Sequence, residues 1–385
     1  MNKDVLYPDS ESALLSPEWQ EGWNFPSPSR NRRKGHCLGS VCGAVAPELA
    51  NKLIYSFTKE GGLVLDMEAK GGSSLLEAMH LNRRSLGLDR DLRGIDLARL
   101  KTLKPNPSEL DILHKSMDAF LHSCLTISHR PLLHTVFRQA VSTAAGIETP
   151  AAFYSFTLAT QTILLMLSPN GWDDPVNGLS YECPFPLLKE KVQCVLETLR
   201  ENVSSTHNTR PPLILQADEN LLQRSPVLMT PENHTGVVDL VMTAPYFDQN
   251  KVGHDQHIPP LLSDSLNLAQ QTLSGRIAAD MRRDSTSEKP ACMMQKVDRL
   301  NSFFANLKQY VDHAAAYLKQ GGIAAWAVSE YDVSGIRFNT PEILSDFSVP
   351  VGMEHLYTFQ GTGLTLDAQN KNNGDTEYVV IFRKK

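Results

Sequence analysis

The sequence predicts an α/β protein in which a mostly parallel sheet, flanked by helices, is interrupted by a large helical insertion. Three observations predict it. Short apolar runs end in an acid or a polar turn: Leu63-Val64-Leu65-Asp66, Leu86-Gly87-Leu88-Asp89, the run 212–218 ending at Asp218, and the continuous run 237–246. Runs of this length fit strands buried on both faces. Stretches of helical period lie between them, as in βαβ units. Finally, residues 62–89 read strand, Gly71-Gly72 turn, helix, strand, acid. Such a unit holds a nucleoside at the carboxyl ends of its strands, because glycine lets backbone approach a ligand and the terminal acid accepts hydrogen bonds from ribose hydroxyls.

Taken in order, residues 1–35 read as an irregular arm, with Pro8, Pro17, Pro26 and Pro28 interrupting any helix. Its basic cluster, Arg30, Arg32, Arg33 and Lys34, is the densest positive patch near the expected site and suits a phosphate backbone; a solvated charged arm is the plainer alternative. Residues 47–58 form an amphipathic helix, with Leu49, Leu53, Ile54 and Phe57 on one face and Pro47 in its first turn. After Asp89 come five helical stretches (92–103, 109–128, 132–143, 151–167 and 185–200) separated by prolines. They make a helical insertion subdomain over 92–211, leaving 36–91 and 212–385 as the main α/β domain. The sheet resumes at 212–218 and 237–246. Residues 247–290 are polar and loop-like, then a long helix 297–319 is expected to cap at Gly321-Gly322. A strand at 323–328, a helix near 341–347, and strands near 355–359 and 377–382 close the chain, the last two as a plausible antiparallel pair.

Composition narrows the class. With 385 residues, 41% hydrophobic and 21% charged, the chain can bury a substantial core. A net charge of −6 gives no global basic field, so any nucleic-acid contact has to be local. The six cysteines form no CxxC pair and no zinc pattern; reduced, mostly buried thiols and no metal are expected. The polar start MNKDVLYPDSES is no secretory signal, and the longest uncharged run, 151–171, carries too many polar residues for a membrane span. A cytoplasmic protein with no membrane contact is the expectation.

Four strand ends thus carry marked loops: Asp66 with Gly71-Gly72, Asp89, Asp218, and Thr243-Ala244-Pro245-Tyr246. In a parallel sheet these ends share one rim, which would gather a nucleoside site and a flat-ring substrate site around one crevice. A strand-end Asp alone is weak evidence, since it often serves as a helix N-cap.

With these residues in view, the sequence resembles the S-adenosylmethionine-dependent amino-methyltransferases that modify adenine N6 or cytosine N4 in DNA. The resemblance covers about 36–91, 212–248 and 297–383. It rests on Pro47-Glu48-Leu49-Ala50, Val64-Leu65-Asp66, Leu75-Leu76-Glu77-Ala78, Asn82 through Asp89, Asp239 through Tyr246, and Glu377 through Lys384. There are departures. The family's cofactor loop reads Asp-Pro-Phe-x-Gly-x-Gly; here Met67-Glu68 replace Pro-Phe, Lys70 replaces the first glycine, and only Gly72 matches the second. The catalytic loop, Ser/Asn/Asp-Pro-Pro-Tyr in the family, has Thr243 and Ala244 in its first two places.

The resemblance implies a class I methyltransferase-like (Rossmann-like) fold, S-adenosylmethionine as cofactor, and DNA as partner, as in restriction-modification. Asp66 would hold the methionine amino group, Asp89 the ribose hydroxyls and Asp218 the adenine edge, with Glu68, Lys70 and Gly72 lining the loop. Tyr246 would stack on a flipped base, while the Thr243 hydroxyl and the Ala244 carbonyl, set by Pro245, would orient its amino group. Glu68 and Lys70 would either perturb the cofactor loop or pair with each other at the surface. The alternative expectation is a degenerate methyltransferase-fold subunit that binds DNA or assembles with a protein partner in a modification or defence complex.

Overall fold

In a computed structural model the chain forms two compact units, one of residues 26–218 and one of residues 1–25 with 219–385. The structure describes residues 35–38, 43–167, 182–204, 210–216, 236–245, 290–333, 336–366 and 377–385.

In the first unit, β1 (Ala44–Val45) leads into α1 (Pro47–Phe57), whose Leu49, Leu53 and Ile54 are buried. The expected βαβ unit follows as β2 (Leu63–Asp66), α2 (Ser73–His80) and β3 (Arg84–Asp89). Beyond it come α3 (Leu92–Thr102), α4 (Pro107–Ile127), α5 (Leu133–Ala144), α6 (Pro150–Leu167), α7 (Phe185–Ser204) and β4 (Leu213–Gln216). β2 pairs with β3, and β3 with β4, both in parallel. Gly87 lies in β3 where a Cβ would strike Leu75, so its missing side chain lets α2 settle on the sheet.

The helices α3–α7 share an apolar core in which Phe120 and Phe156 meet edge to face at 6.1 Å. Helix α3 also packs on β3 and β4, so it belongs as much to the sheet as to the helical part. Helix α4 starts earlier than its hydrophobic period suggests, at Pro107. The Asn106 side chain accepts from the Glu109 N–H and the Glu109 carboxylate accepts from the Asn106 N–H, a complete capping box.

The second unit contains β5 (Val238–Thr243), α8 (Pro290–Tyr317), β6 (Leu318–Ser329), the hairpin β7 (Tyr331–Val333) and β8 (Ile336–Phe338), α9 (Thr340–Ser348), β9 (Met353–Gly361), β10 (Thr365–Leu366) and β11 (Glu377–Lys384). β5 and β6 are parallel, and β11 lies between β6 and β9, antiparallel to both. Mostly parallel strands flanked by helices are the Rossmann-like class expected from the sequence.

Gly321-Gly322 does not cap α8, contrary to the sequence expectation. The helix ends at Tyr317, and Leu318 already pairs with Val238; the ladder then jumps so that Leu240 pairs with Ile323. Residues 319–322 are bulged out between these pairs, and Gly321 supplies the left-handed turn, φ 74°. Among the described residues no helix is long and apolar enough to cross a membrane.

Candidate functional site

The loop from β2 to α2 turns through three successive left-handed residues: Lys70 (φ 40°), Gly71 (92°) and Gly72 (76°). Two are glycines, for which this region costs nothing. A Cβ on Gly72 would lie 2.7 Å from the Ala98 Cβ and 2.8 Å from its Cα, so the glycine also lets α3 close on the loop. Lys70, the third, shares the left-handed backbone of the two glycines that follow it. Its left-handed conformation is unfavourable for a lysine and is held from outside. The Lys70 N–H donates to Asp89 Oδ2 at 2.7 Å, and the neighbouring Ala69 N–H donates to the Leu88 carbonyl at 2.8 Å.

Both strand-end acids are buried. Asp66 is 1% exposed; its Oδ2 accepts from the Ser74 hydroxyl and its Oδ1 from the Glu68 N–H at 3.1 Å. Burial pushes its carboxyl up to about 7, against the pull of those two donors. Asp89 is 8% exposed and accepts from two backbone amides, Lys70 and Asp91, the latter at 2.9 Å. Burial pushes it up to about 6. Gly94 in α3 lies directly against it, since a Cβ there would strike Oδ2.

Glu68 and Lys70 pair at 2.6 Å, one of the two arrangements anticipated for them, but the pair is mostly enclosed rather than at the surface: the side chains are 22% and 13% exposed. The Lys70 ammonium also reaches the Gly43 carbonyl at 3.5 Å. The loop thus brings three carboxyl groups, Asp66, Glu68 and Asp89, into the neighbourhood of one ammonium, Lys70, which pairs with Glu68. That electrostatic surplus suits a cationic ligand and opposes a pyrophosphate. Among the described residues no group of His, Cys, Asp and Glu could hold a metal ion.

In the second unit, Thr243 is the last residue of β5 and Ala244 follows it; both are buried, as is Pro245. The Thr243 Oγ1 has no hydrogen-bond partner among the described residues, an uncommon state for a buried hydroxyl. Tyr246, Asp218, Arg30, Arg32, Arg33 and Lys34 lie outside the described residues, as does the end of the strand expected to reach Asp218, since β4 stops at Gln216.

Sequence reasoning missed a polar network behind α2. His36 Nε2 bonds Glu77 Oε1 at 2.9 Å, and the Asn51 amide donates to Glu77 Oε2 at 2.7 Å, tying residues 35–38 and α1 to α2. The partners are 41 and 26 positions apart, and nothing local marks them. Burial holds His36 below its ordinary value, so the ring is neutral near pH 7.

No family model matches the chain, and no curated protein matches it. Solved structures similar to it include TrmN from Thermus thermophilus, 12% identical with a TM-score of 0.33 over 88% of this chain and 49% of that one. A TehB-like SAM-dependent methyltransferase from Corynebacterium glutamicum is 11% identical, TM-score 0.32, over 88% of each chain. The rRNA methyltransferase aviRa from Streptomyces viridochromogenes is 10% identical, TM-score 0.32, over 97% of this chain and 93% of that one. The present chain spans about half the length of the TrmN chain.

Proposed function

We propose that the protein is an S-adenosylmethionine-dependent methyltransferase acting on the exocyclic amino group of a flipped base in DNA, cytosine N4 or adenine N6. The observation that carries this reading is the pair of buried acids, Asp66 and Asp89, at the ends of adjacent parallel strands on either side of the left-handed loop 70–72. The residues fit a cationic nucleoside: an acid at the second strand end for ribose hydroxyls, and a surplus of carboxyl groups around the loop for positive charge. When bound, the cofactor supplies an electrophilic methyl group on a sulfonium. Asp66 would take the methionine ammonium. Because its carboxyl sits at about 7, cofactor affinity rises as pH increases through that value and the carboxylate forms.

On the substrate side the reading is supported by the Thr243-Ala244-Pro245-Tyr246 pattern and by the Thr243 hydroxyl, which has no hydrogen-bond partner among the described residues and can accept from a substrate amino group. Positioning that nitrogen's lone pair toward the methyl contributes through orientation, with no covalent enzyme intermediate. Methylation of an RNA base or a protein amide uses the same loop chemistry. The test is mass spectrometry of nucleosides from DNA incubated with protein and cofactor. N4-methylcytosine or N6-methyladenine supports the reading; calorimetric binding of cofactor without either product redirects it to another substrate.

The enclosed Glu68–Lys70 pair favours a second reading, a degenerate methyltransferase-fold subunit that binds DNA or a protein partner. Here the lysine occupies space that a glycine would leave to the cofactor. No calorimetric response at millimolar cofactor would select this reading over the first.

A further inference from the structure

Four cysteines lie among the described residues, and they fall into two pairs. Cys124 and Cys183 are core residues, 0% and 2% exposed. Cys37 and Cys194 are only half-buried, and they are brought together from sequence positions 157 apart. The Cys37 Sγ lies 3.4 Å from the Cys194 carbonyl oxygen and 3.6 Å from the Thr198 hydroxyl, one turn further along α7. The Cys37 thiol thus packs on α7 at Cys194 itself. Lys101 of α3 is fully buried near Cys37, and its Nζ has no hydrogen-bond partner among the described residues.

We propose that Cys37 and Cys194 are a redox pair that closes to a disulfide, stapling residues 35–38 to α7. The oxidant is a hydroperoxide. The Cys37 thiolate attacks the peroxide oxygen, the O–O bond breaks, and with hydrogen peroxide one water leaves as Cys37 becomes a sulfenic acid. The Cys194 sulfur then attacks the Cys37 sulfur, the S–O bond breaks, and a second water carries away the Cys194 proton. Overall, two thiols and one hydrogen peroxide give one disulfide and two waters.

The surroundings assign the two roles. Interactions with the Cys194 and Thr198 side chains bring the Cys37 thiol down to about 7, despite burial and the nearby Glu197 and Glu201. The same interaction holds the Cys194 thiol up, and burial adds to it. Burial brings Lys101 down to about 7, and a Cys37 thiolate nearby would favour its charged form. Cys37 is thus the attacking thiol and Cys194 the resolving one. Because His36 bonds Glu77, the staple also reaches α2, the helix that begins at the loop 70–72.

The test treats the reduced full-length protein with stoichiometric hydrogen peroxide and reads intact mass and non-reducing peptide maps. Expected is a loss of two hydrogens, restored by dithiothreitol, with Cys194 linked to the peptide that contains Cys37 and Cys42. Cys42→Ser should leave the linkage intact, whereas Cys37→Ser and Cys194→Ser should each remove it while keeping the wild-type circular dichroism. Lys101→Met should slow alkylation of Cys37 by iodoacetamide at pH 7. A linkage that survives Cys37→Ser, a Cys37–Cys42 bridge, or oxidation of Cys37 only to the sulfinic or sulfonic acid would overturn the proposal.

Discussion

The ends of β2 and β3 carry the same residue in similar burial, yet the two carboxyl groups are held differently. Asp66 depends on a side chain, the Ser74 hydroxyl, together with one amide; Asp89 is held by two amides, Lys70 and Asp91. The position of Asp89 is therefore set by the path of the backbone, including the left-handed turn at Lys70. That of Asp66 is set in part by a replaceable hydroxyl. A site of this kind has one acid fixed by the fold and one that local substitution can tune.

Substitutions separate the two. Gly72→Ala should have the largest effect, because it adds a Cβ to a left-handed residue already in contact with the Ala98 backbone. Backbone strain and overpacking together predict a loss of about 2–4 kcal/mol, read by urea denaturation. Gly94→Ala acts on Asp89 alone, since the new Cβ meets Oδ2. It should cost about 1–3 kcal/mol and weaken binding of adenosine as well as of S-adenosylmethionine.

Ser74→Ala acts on Asp66 alone. Losing a buried donor to a carboxyl should cost about 1–2 kcal/mol. It should also move the pH midpoint of cofactor binding upward, because the hydroxyl holds the Asp66 value down; an unchanged midpoint would show that Asp66 does not meet the ligand. The stability of the free protein tests the same group from the other side. The folded-state values, about 7 and about 6, lie above the ordinary 3.8. The stability linked to these groups is therefore fully present below the ordinary value and is lost as pH rises through 6–7. Thermal melting should decline over that range, and Asp66→Asn should flatten the decline.

Lys70→Gly should have the smallest effect on stability. It relieves the left-handed lysine and removes one mostly enclosed ion pair, changes that oppose each other to within about 1 kcal/mol. On cofactor affinity it is the sharpest test: stronger binding in the variant would identify the Lys70 side chain as an obstruction, and weaker binding would identify it as part of the site.

The parts legible in the sequence were those with local signatures. The unit 62–89 was readable because strand, glycine turn and helix follow one another directly, and α4–α7 because prolines and hydrophobic period mark them. The start of α4 at Pro107 lies ahead of the apolar period because the Asn106–Glu109 capping box sets it. The break between α8 and β6 was not legible, because it depends on Leu318 pairing with Val238, a contact across 80 positions. The strand-end acids were legible as candidates. Their burial, and the enclosure of the Glu68–Lys70 pair, depend on α3 and Gly43 closing over the loop. The Cys37–Cys194 proximity and the His36–Glu77 bond have no sequence signal, since α7 and residues 35–38 meet only in the folded unit.

The placement of β11 has a consequence for the order of folding. β6 and β9 are sheet neighbours of β11 and are separated by it, so neither can complete its pairing until residues 377–384 arrive. A helix such as α9 can form as soon as it is made, but this end of the sheet waits for a strand inserted from later in the chain. Until then β6, with its buried run from Ile323 to Val328, exposes one unpaired edge. A substitution that delays β11, such as proline at Val380, should therefore show first as aggregation of newly made protein and only second as a lower melting temperature of the molecules that do fold.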